Sequence, residues 1–315
     1  LALDPTIKAL FDQRPDLAEP KFWAKTPAEV RAIFRALSET ANPQDVPIGK
    51  IDNIEIPAGK GKISARVYTP VAAGGDALAA VVFFHGGGFM VGDLDCYDPF
   101  CRMLANESGT RVVSVGYRLA PEYPFPAAVD DCYAALKWIE DNATAQGIDP
   151  NRIAAAGDSA GGNLAAVAVQ MAKAKGTPKP AFQLLIYPAV SADLKSPSAQ
   201  NFARGYFLDL QTIGWFMMHY APNADPRDPR LIPMSAGDVS GLPPAYIITA
   251  GCDPLRDGAA AYAERLKAAG VKVTLVDYPT MIHAFMHMSN FVPLAREAIT
   301  AAAKATKDAL NDARI

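Results

Sequence analysis

Cysteine is scarce in this sequence. Its 315 residues include four, Cys96, Cys101, Cys132 and Cys252, and no two are separated by the two residues of a redox or zinc motif. So few thiols in so long a chain exclude a disulfide-stapled scaffold, and a reducing, cytoplasmic location is expected. Neither sign of charge dominates. The 30 Lys and Arg stand against 33 Asp and Glu, a net charge of −3, which leaves no basic stripe for a phosphate backbone, so nucleic acid is not expected as a partner. Long apolar runs are missing too. The longest stretch without a charged residue, Tyr278 to Ala295, has 18 residues and contains Pro279, His283, His287, Asn290 and Pro293. That composition does not suit a lipid-exposed helix, and no membrane span is expected. Near the N-terminus Asp4, Lys8, Asp12, Arg14 and Asp16 are interspersed where a signal peptide would carry an apolar run, so none is expected.

The rest is ordinary globular usage, 50% hydrophobic and 20% charged, at a length that suits two domains or one α/β domain carrying insertions. Thr26-Pro27-Ala28-Glu29 reads as a capping box with proline at the first helical position. Val30, Ile33, Phe34 and Leu37 follow at amphipathic spacing, and a shorter helix is expected before them, around Asp4 to Asp12. Ile54–Ile56 and Ile63–Tyr68, separated by Pro57 to Gly61, read as a hairpin. From Leu78 onward short apolar runs alternate with helical segments. Strands are predicted over 80–84, 111–115, 153–156, 182–187, 245–250 and 271–277, and helices over 126–142, 160–175, 257–269 and 295–312. Continuous apolar runs suit strands covered on both faces, and the alternation predicts an α/β fold with a mostly parallel sheet and helices on both sides. The stretch from Ser191 to Pro243 is too long for an ordinary connection and carries its own amphipathic segment, Leu210 to Tyr220, so an excursion above the sheet is expected.

The chemistry concentrates in a few places. Gly157-Asp158-Ser159-Ala160-Gly161 fits G-x-S-x-G between a predicted strand and a predicted helix. A nucleophile on a sharp strand-to-helix turn needs small neighbours, and the following helix brings its amino terminus and the Ala160 amide toward a developing oxyanion. The alternative, a tight turn with no catalytic task, has the same local sequence. His85-Gly86-Gly87-Gly88 follows another predicted strand. Three glycines let backbone amides turn into a cavity, as an oxyanion hole requires, and the Lys-Ser/Thr that a phosphate loop places after its glycines is absent.

A serine hydroxyl needs a base, and the base needs an orienting acid. There are four histidines. His85 opens the glycine loop and is expected to shape it. His219 lies in a helix-like run, where a packed or surface role is expected. His283 follows a predicted strand in a loop with Pro279, and His287 lies four residues on. A zinc pair at those two positions is disfavoured because Ala284 stands where H-E-x-x-H has its glutamate. For the acid, Asp253 follows the apolar run 245–250, at a sheet end, while Asp257 is the reserve and reads better as a helix start. The order Ser159, Asp253, His283 is the Ser…Asp…His order of the α/β-hydrolases.

Taken together, HGGGF, YRLAPEYPFPAAVDD, GDSAGG, GCDPLRD and His283-Ala284-Phe285 resemble the hormone-sensitive-lipase-like carboxylesterases, over roughly Ile51 to the C-terminus. The resemblance implies an α/β-hydrolase fold with a helical cap and Ser159 as nucleophile with Asp253 and His283. It also implies Gly87, Gly88 and Ala160 as oxyanion amides, with His85 and Gly86 supporting that loop. It divides the chain into N-terminal helices contributing to the cap (1–45), a catalytic core (46–190 and 226–315) and a cap insertion (191–225). The expected activity is cofactor-free and metal-free hydrolysis of small, short-acyl carboxylic esters. Phe89, Tyr206, Phe207, Leu208 and Trp215 are expected to line the substrate pocket, and by family analogy a homodimer is compatible with the sequence. Amidases, peptidases and lactonases share the same acyl-enzyme chemistry, and a non-catalytic ligand-binding relative of the fold would be expected to lack a triad member, whereas all three are present.

Overall fold

The apolar runs of the sequence form one eight-stranded sheet in a computed structural model that describes residues 2–74 and 77–313. In chain order the elements are α1 (Pro5–Gln13), α2 (Pro15–Ala18), α3 (Pro27–Ala41), β1 (Lys50–Ala58), β2 (Gly61–Thr69), β3 (Leu78–Phe84), α4 (Asp98–Ser108), β4 (Arg111–Gly116), α5 (Ala127–Asp141), β5 (Ile148–Asp158), α6 (Ala160–Lys175), β6 (Phe182–Ile186), α7 (Pro197–Asn201), α8 (Leu210–Tyr220), β7 (Ala245–Cys252), α9 (Arg256–Ala268), β8 (Val273–Ile282) and α10 (Pro293–Asp312). The strand order is β1-β2-β4-β3-β5-β6-β7-β8. Only the β1–β2 and β2–β4 pairs are antiparallel, and every pair from β4 through β3 to β8 is parallel.

Both faces of the sheet are covered, which explains why its central strands carry nearly continuous apolar runs, broken by few polar residues such as Ser114 in β4 and Gln183 in β6. Along β3, Ala80, Val82 and Phe84 pack into the core under α5, α6 and α9, while Ala79, Val81 and Phe83 pack into the opposite core under α4 and α10. A side-chain period of two thus persists beneath a continuous run. The helix α6, largely alanine and valine, is buried nearly all round along its first ten residues, as expected of a helix held between a sheet and another helix. At the N-terminus, the Thr26 hydroxyl and Glu29 carboxylate close the capping box that starts α3.

The structure departs from the sequence reading at two prolines, Pro57 and Pro279, and in the helices α2, α4 and α7. The hairpin of β1 and β2 turns on two residues, with Ala58 paired to Gly61, in place of the five-residue loop expected from Pro57. At the other end, β8 runs on through Pro279 to Ile282. β1 and β8 are the two edges of the sheet, where a residue without an N–H costs no ladder hydrogen bond. The helix α4, absent from the sequence reading, carries its own boundary signals, Pro99 in its first turn and left-handed Gly109 after its end, but they lie just beyond the glycine loop. No helix among the described residues is long and apolar enough to cross a membrane.

Candidate active site

Four parallel strands end together, and the residue after each is a polar one singled out from the sequence. His85 follows β3, Ser159 follows β5, Asp253 follows β7 and His283 follows β8. Carboxyl ends of parallel strands open onto a common crevice. The continuation of β8 past Pro279 matters here, because it carries the strand to Ile282 and sets His283 in the turn at the sheet end, the position expected from the sequence.

Ser159 sits at φ 53°, ψ −116°, a strained conformation for a residue with a Cβ, and such strain persists only where the surroundings fix it. Three backbone hydrogen bonds do so: Ser159 N–H donates to Ile186 O (2.9 Å), and Ser159 O accepts from Asn163 N (3.0 Å) and Ala189 N (3.1 Å). Its flanks are glycine because the turn folds on itself. A Cβ on Gly157 would collide with the Gly161 carbonyl, and one on Gly161 with the Phe84 carbonyl.

The Ser159 hydroxyl lies 2.8 Å from His283 Nε2, and His283 Nδ1 lies 2.7 Å from Asp253 Oδ2. Asp253 is fully buried, and its other oxygen accepts the Leu255 amide at 2.8 Å. An ionised carboxylate only accepts, so Nδ1 carries the ring proton and Nε2 presents its lone pair to the serine. Across the cavity, the amides of Gly87, Gly88 and Ala160 donate to no protein group among the described residues, and all three residues line the same cavity as Ser159 and His283. Unpaired donors at a helix start and in a glycine turn are what a developing oxyanion requires.

The other histidines have different surroundings. His85 Nδ1 donates to Gly86 O (2.8 Å), and its carbonyl accepts from the Tyr117 hydroxyl (2.7 Å) with the two rings stacked at 4.3 Å. Burial pushes the His85 imidazole below its ordinary value, favouring the neutral ring. His219 donates to Trp215 O within α8. His287 meets Asp158 Oδ2 at 3.2 Å, and Asp158 also accepts from the Tyr97 hydroxyl (3.2 Å) and, through Oδ1, the Gly86 amide (2.7 Å). Asp158 therefore braces the glycine loop, with His287 as a partner that no local pattern in the sequence points to. Asp257, the reserve acid, lies in the first turn of α9, where it accepts the Ser198 amide. No three His, Cys, Asp or Glu side chains among the described residues are grouped to hold a metal ion.

The cavity encloses about 340 Å³ and is walled mainly by apolar side chains. Of the residues expected to line it, Phe89, Phe207 and Leu208 do, whereas Tyr206 and Trp215 do not. Tyr206 packs edge-on against Phe202. Trp215 falls on the wrong side of α8: Ile213, Phe216 and Met217, spaced i, i+3 and i+4, face the cavity, and at 100° per residue position 215 points the other way. The amphipathic face of α3 supplies a further wall, through Val30, Phe34 and Leu37. The insertion and the N-terminal segment join above it, where Phe207 N–H donates to Ala18 O (2.9 Å) and the Phe207 ring meets Phe22 edge-on.

Residues 81–287 match the sequence pattern of a family described by its alpha/beta hydrolase fold. The chain is 44% identical over 315 residues to the carboxylesterase NlhH of Mycobacterium tuberculosis, with 98% of this chain and 97% of that protein covered. It is 42% identical over 236 residues to an ethyl acetate hydrolase of Pseudomonas putida, covering 74% of each. An ester hydrolase from the metagenome of Lake Arreo superposes with a TM-score of 0.93 at 39% identity, over 97% of this chain and 98% of that one. Family pattern, whole-length relatives and superposed backbone agree, and the chain belongs to the hormone-sensitive-lipase-like carboxylesterases, family IV of the α/β-hydrolase superfamily.

Proposed function

We propose that Ser159 is the nucleophile of a serine carboxylesterase acting on small carboxylic esters, with His283 as general base and acid and Asp253 as its orienting carboxylate. The observation that carries the assignment is the continuous relay from the serine hydroxyl through both imidazole nitrogens to a buried carboxylate, at 2.8 and 2.7 Å. Ser159 Oγ attacks the ester carbonyl carbon as its proton passes to His283 Nε2. The carbonyl oxygen, now anionic, turns toward the amides of Gly87, Gly88 and Ala160. As the tetrahedral species collapses, the C–O bond to the alcohol breaks and His283 returns the proton to that oxygen. Water, deprotonated by His283, then adds to the acyl carbon, the bond from that carbon to Ser159 Oγ breaks as His283 returns the proton to Oγ, and the acid leaves. Residues 191–225 and the N-terminal helices form the cap in this reading, closing the cavity over the serine.

The cavity volume lies near the low end of the range for small-molecule sites, and α8 closes it with Ile213, Phe216 and Met217. Esters with acyl chains of about two to eight carbons are therefore expected to outrun longer ones. A panel of soluble esters, amides and lactones of graded chain length checks this; higher kcat/KM on an emulsified long-chain triglyceride than on a soluble butyrate ester would refute it. The base assignment has its own signature. A general base must be neutral, so kcat/KM is expected to show one ascending limb with pH that then levels off. That limb is expected to persist in His219→Ala, in His287→Ala and, at a lower rate, in His85→Ala, since these rings bond to Trp215 O, Asp158 and Gly86 O and not to the serine hydroxyl. A normal limb in His283→Ala would overturn the assignment.

A further inference from the structure

Two successive residues of the glycine loop, Gly88 at φ 59° and Phe89 at φ 64°, lie in the left-handed region. A phenylalanine there is strained, and it persists only where its surroundings hold it. The Phe89 carbonyl accepts the Ala120 amide at 3.0 Å, and the group that holds the ring is in the cap insertion. The Phe89 ring lies parallel to Tyr220 at the end of α8, with centroids 3.9 Å apart and an interplanar angle of 6°, and both side chains are almost fully buried. Tyr220 is itself fixed: its carbonyl accepts the Phe125 amide at 2.7 Å, and the Phe125 ring meets it edge-on. One helical turn earlier, the Phe216 ring lies so close to the Gly88 α-carbon that any Cβ there would overlap it. Phe216 and Tyr220 are spaced i, i+4 and share a face of α8, so the helix presses two rings onto the two left-handed residues.

We infer that Tyr220, acting through Phe89, is a positioning residue that aims the Gly88 amide at the developing oxyanion, so that the cap helix tunes the chemical step as well as covering the pocket. The inference rests on the reading of Gly87 and Gly88 as oxyanion donors. Tyr220 is the informative probe because, unlike Phe216, it does not line the substrate cavity. Its hydroxyl is buried and has no hydrogen-bond partner among the described residues, so the ring carries the contact with Phe89. Releasing Phe89 lets the strained pair relax and turns the amide away from a charge that exists only in the transition state, which lowers kcat and leaves ground-state binding nearly unchanged.

The experiment compares Tyr220→Ala, Tyr220→Leu and Tyr220→Phe with the parent in kcat, KM and affinity for a boronic acid that mimics the tetrahedral species, with thermal melts to confirm folding. The alanine variant is expected to lose about tenfold to 10²-fold in kcat, with KM moving less than about threefold and boronate affinity falling in parallel with kcat/KM. Tyr220→Phe keeps the ring and is expected to restore all three. Tyr220→Leu, which fills the site without a flat face, is expected to follow alanine and carries the test if alanine does not fold. Met218→Ala, on the exposed side of the same helix, reports any general loosening of α8. Parent-like kcat and boronate affinity in folded Tyr220→Ala or Tyr220→Leu, or a loss confined to KM, overturns the inference. Full activity in Ser159→Ala would instead bring down the reading of the site on which the inference stands.

Discussion

Replacing Ser159 with alanine is expected to lower kcat by on the order of 10⁶-fold, the scale seen when the nucleophile of other serine hydrolases is removed, in a protein that still folds. The two halves of this expectation have separate causes. Ser159 is held at its strained dihedrals by backbone bonds to Ile186, Asn163 and Ala189, none of which involves the hydroxyl, and alanine suffers the same positive φ as serine. Among the described residues, the side chain's one hydrogen bond is to His283. The melting temperature should therefore stay close to the parent's while turnover disappears. Activity above a few per cent of the parent's in a folded Ser159→Ala would remove the nucleophile assignment.

The second large effect is expected in Asp253→Asn, where geometry predicts a wrong tautomer rather than a lost contact. Asp253 Oδ1 accepts the Leu255 amide and Oδ2 faces His283 Nδ1. In the asparagine variant, the Leu255 N–H selects the side-chain oxygen, and the NH₂ group is left facing the imidazole. His283 must then accept at Nδ1 and carry its proton at Nε2, where it blocks transfer from the serine. The expected fall in kcat is on the order of 10⁴-fold with the fold intact. Steady-state kinetics beside a thermal melt decides it, and a folded variant within tenfold of the parent would show that Asp253 does not set the tautomer.

What the sequence discloses and what it hides have physical reasons. The turn around Ser159 is legible because its constraint is local: Gly157 and Gly161 are demanded by carbonyls that a Cβ would strike, so chemistry and sterics leave one short pattern. The central strands are legible because burial on both faces makes them continuously apolar. The full extent of the edge strands is not, since Pro57 and Pro279 read as breakers until strand order puts them where no hydrogen bond is required. The wall of the pocket is hidden for another reason. Phe216 and Trp215 are adjacent aromatic residues of one helix, and only the docking of α8 decides which of them meets the cavity. The bond between His287 and Asp158 joins residues 129 positions apart, and no periodicity announces it.

The acyl-enzyme mechanism requires Ser159 to be a covalent nucleophile, and intact-protein mass spectrometry after reaction with a fluorophosphonate ester, which the serine attacks at phosphorus with loss of fluoride, followed by tryptic mapping, reads that nucleophile directly. Trypsin releases residues 153–173 as one peptide, in which Ser159 is the sole hydroxyl-bearing side chain and no cysteine or histidine occurs, so the site of attachment is unambiguous. One adduct per chain, carried on that peptide and absent from Ser159→Ala, is the predicted result. An adduct on any other peptide, or none at all on a protein that is hydrolysing ester, would contradict it.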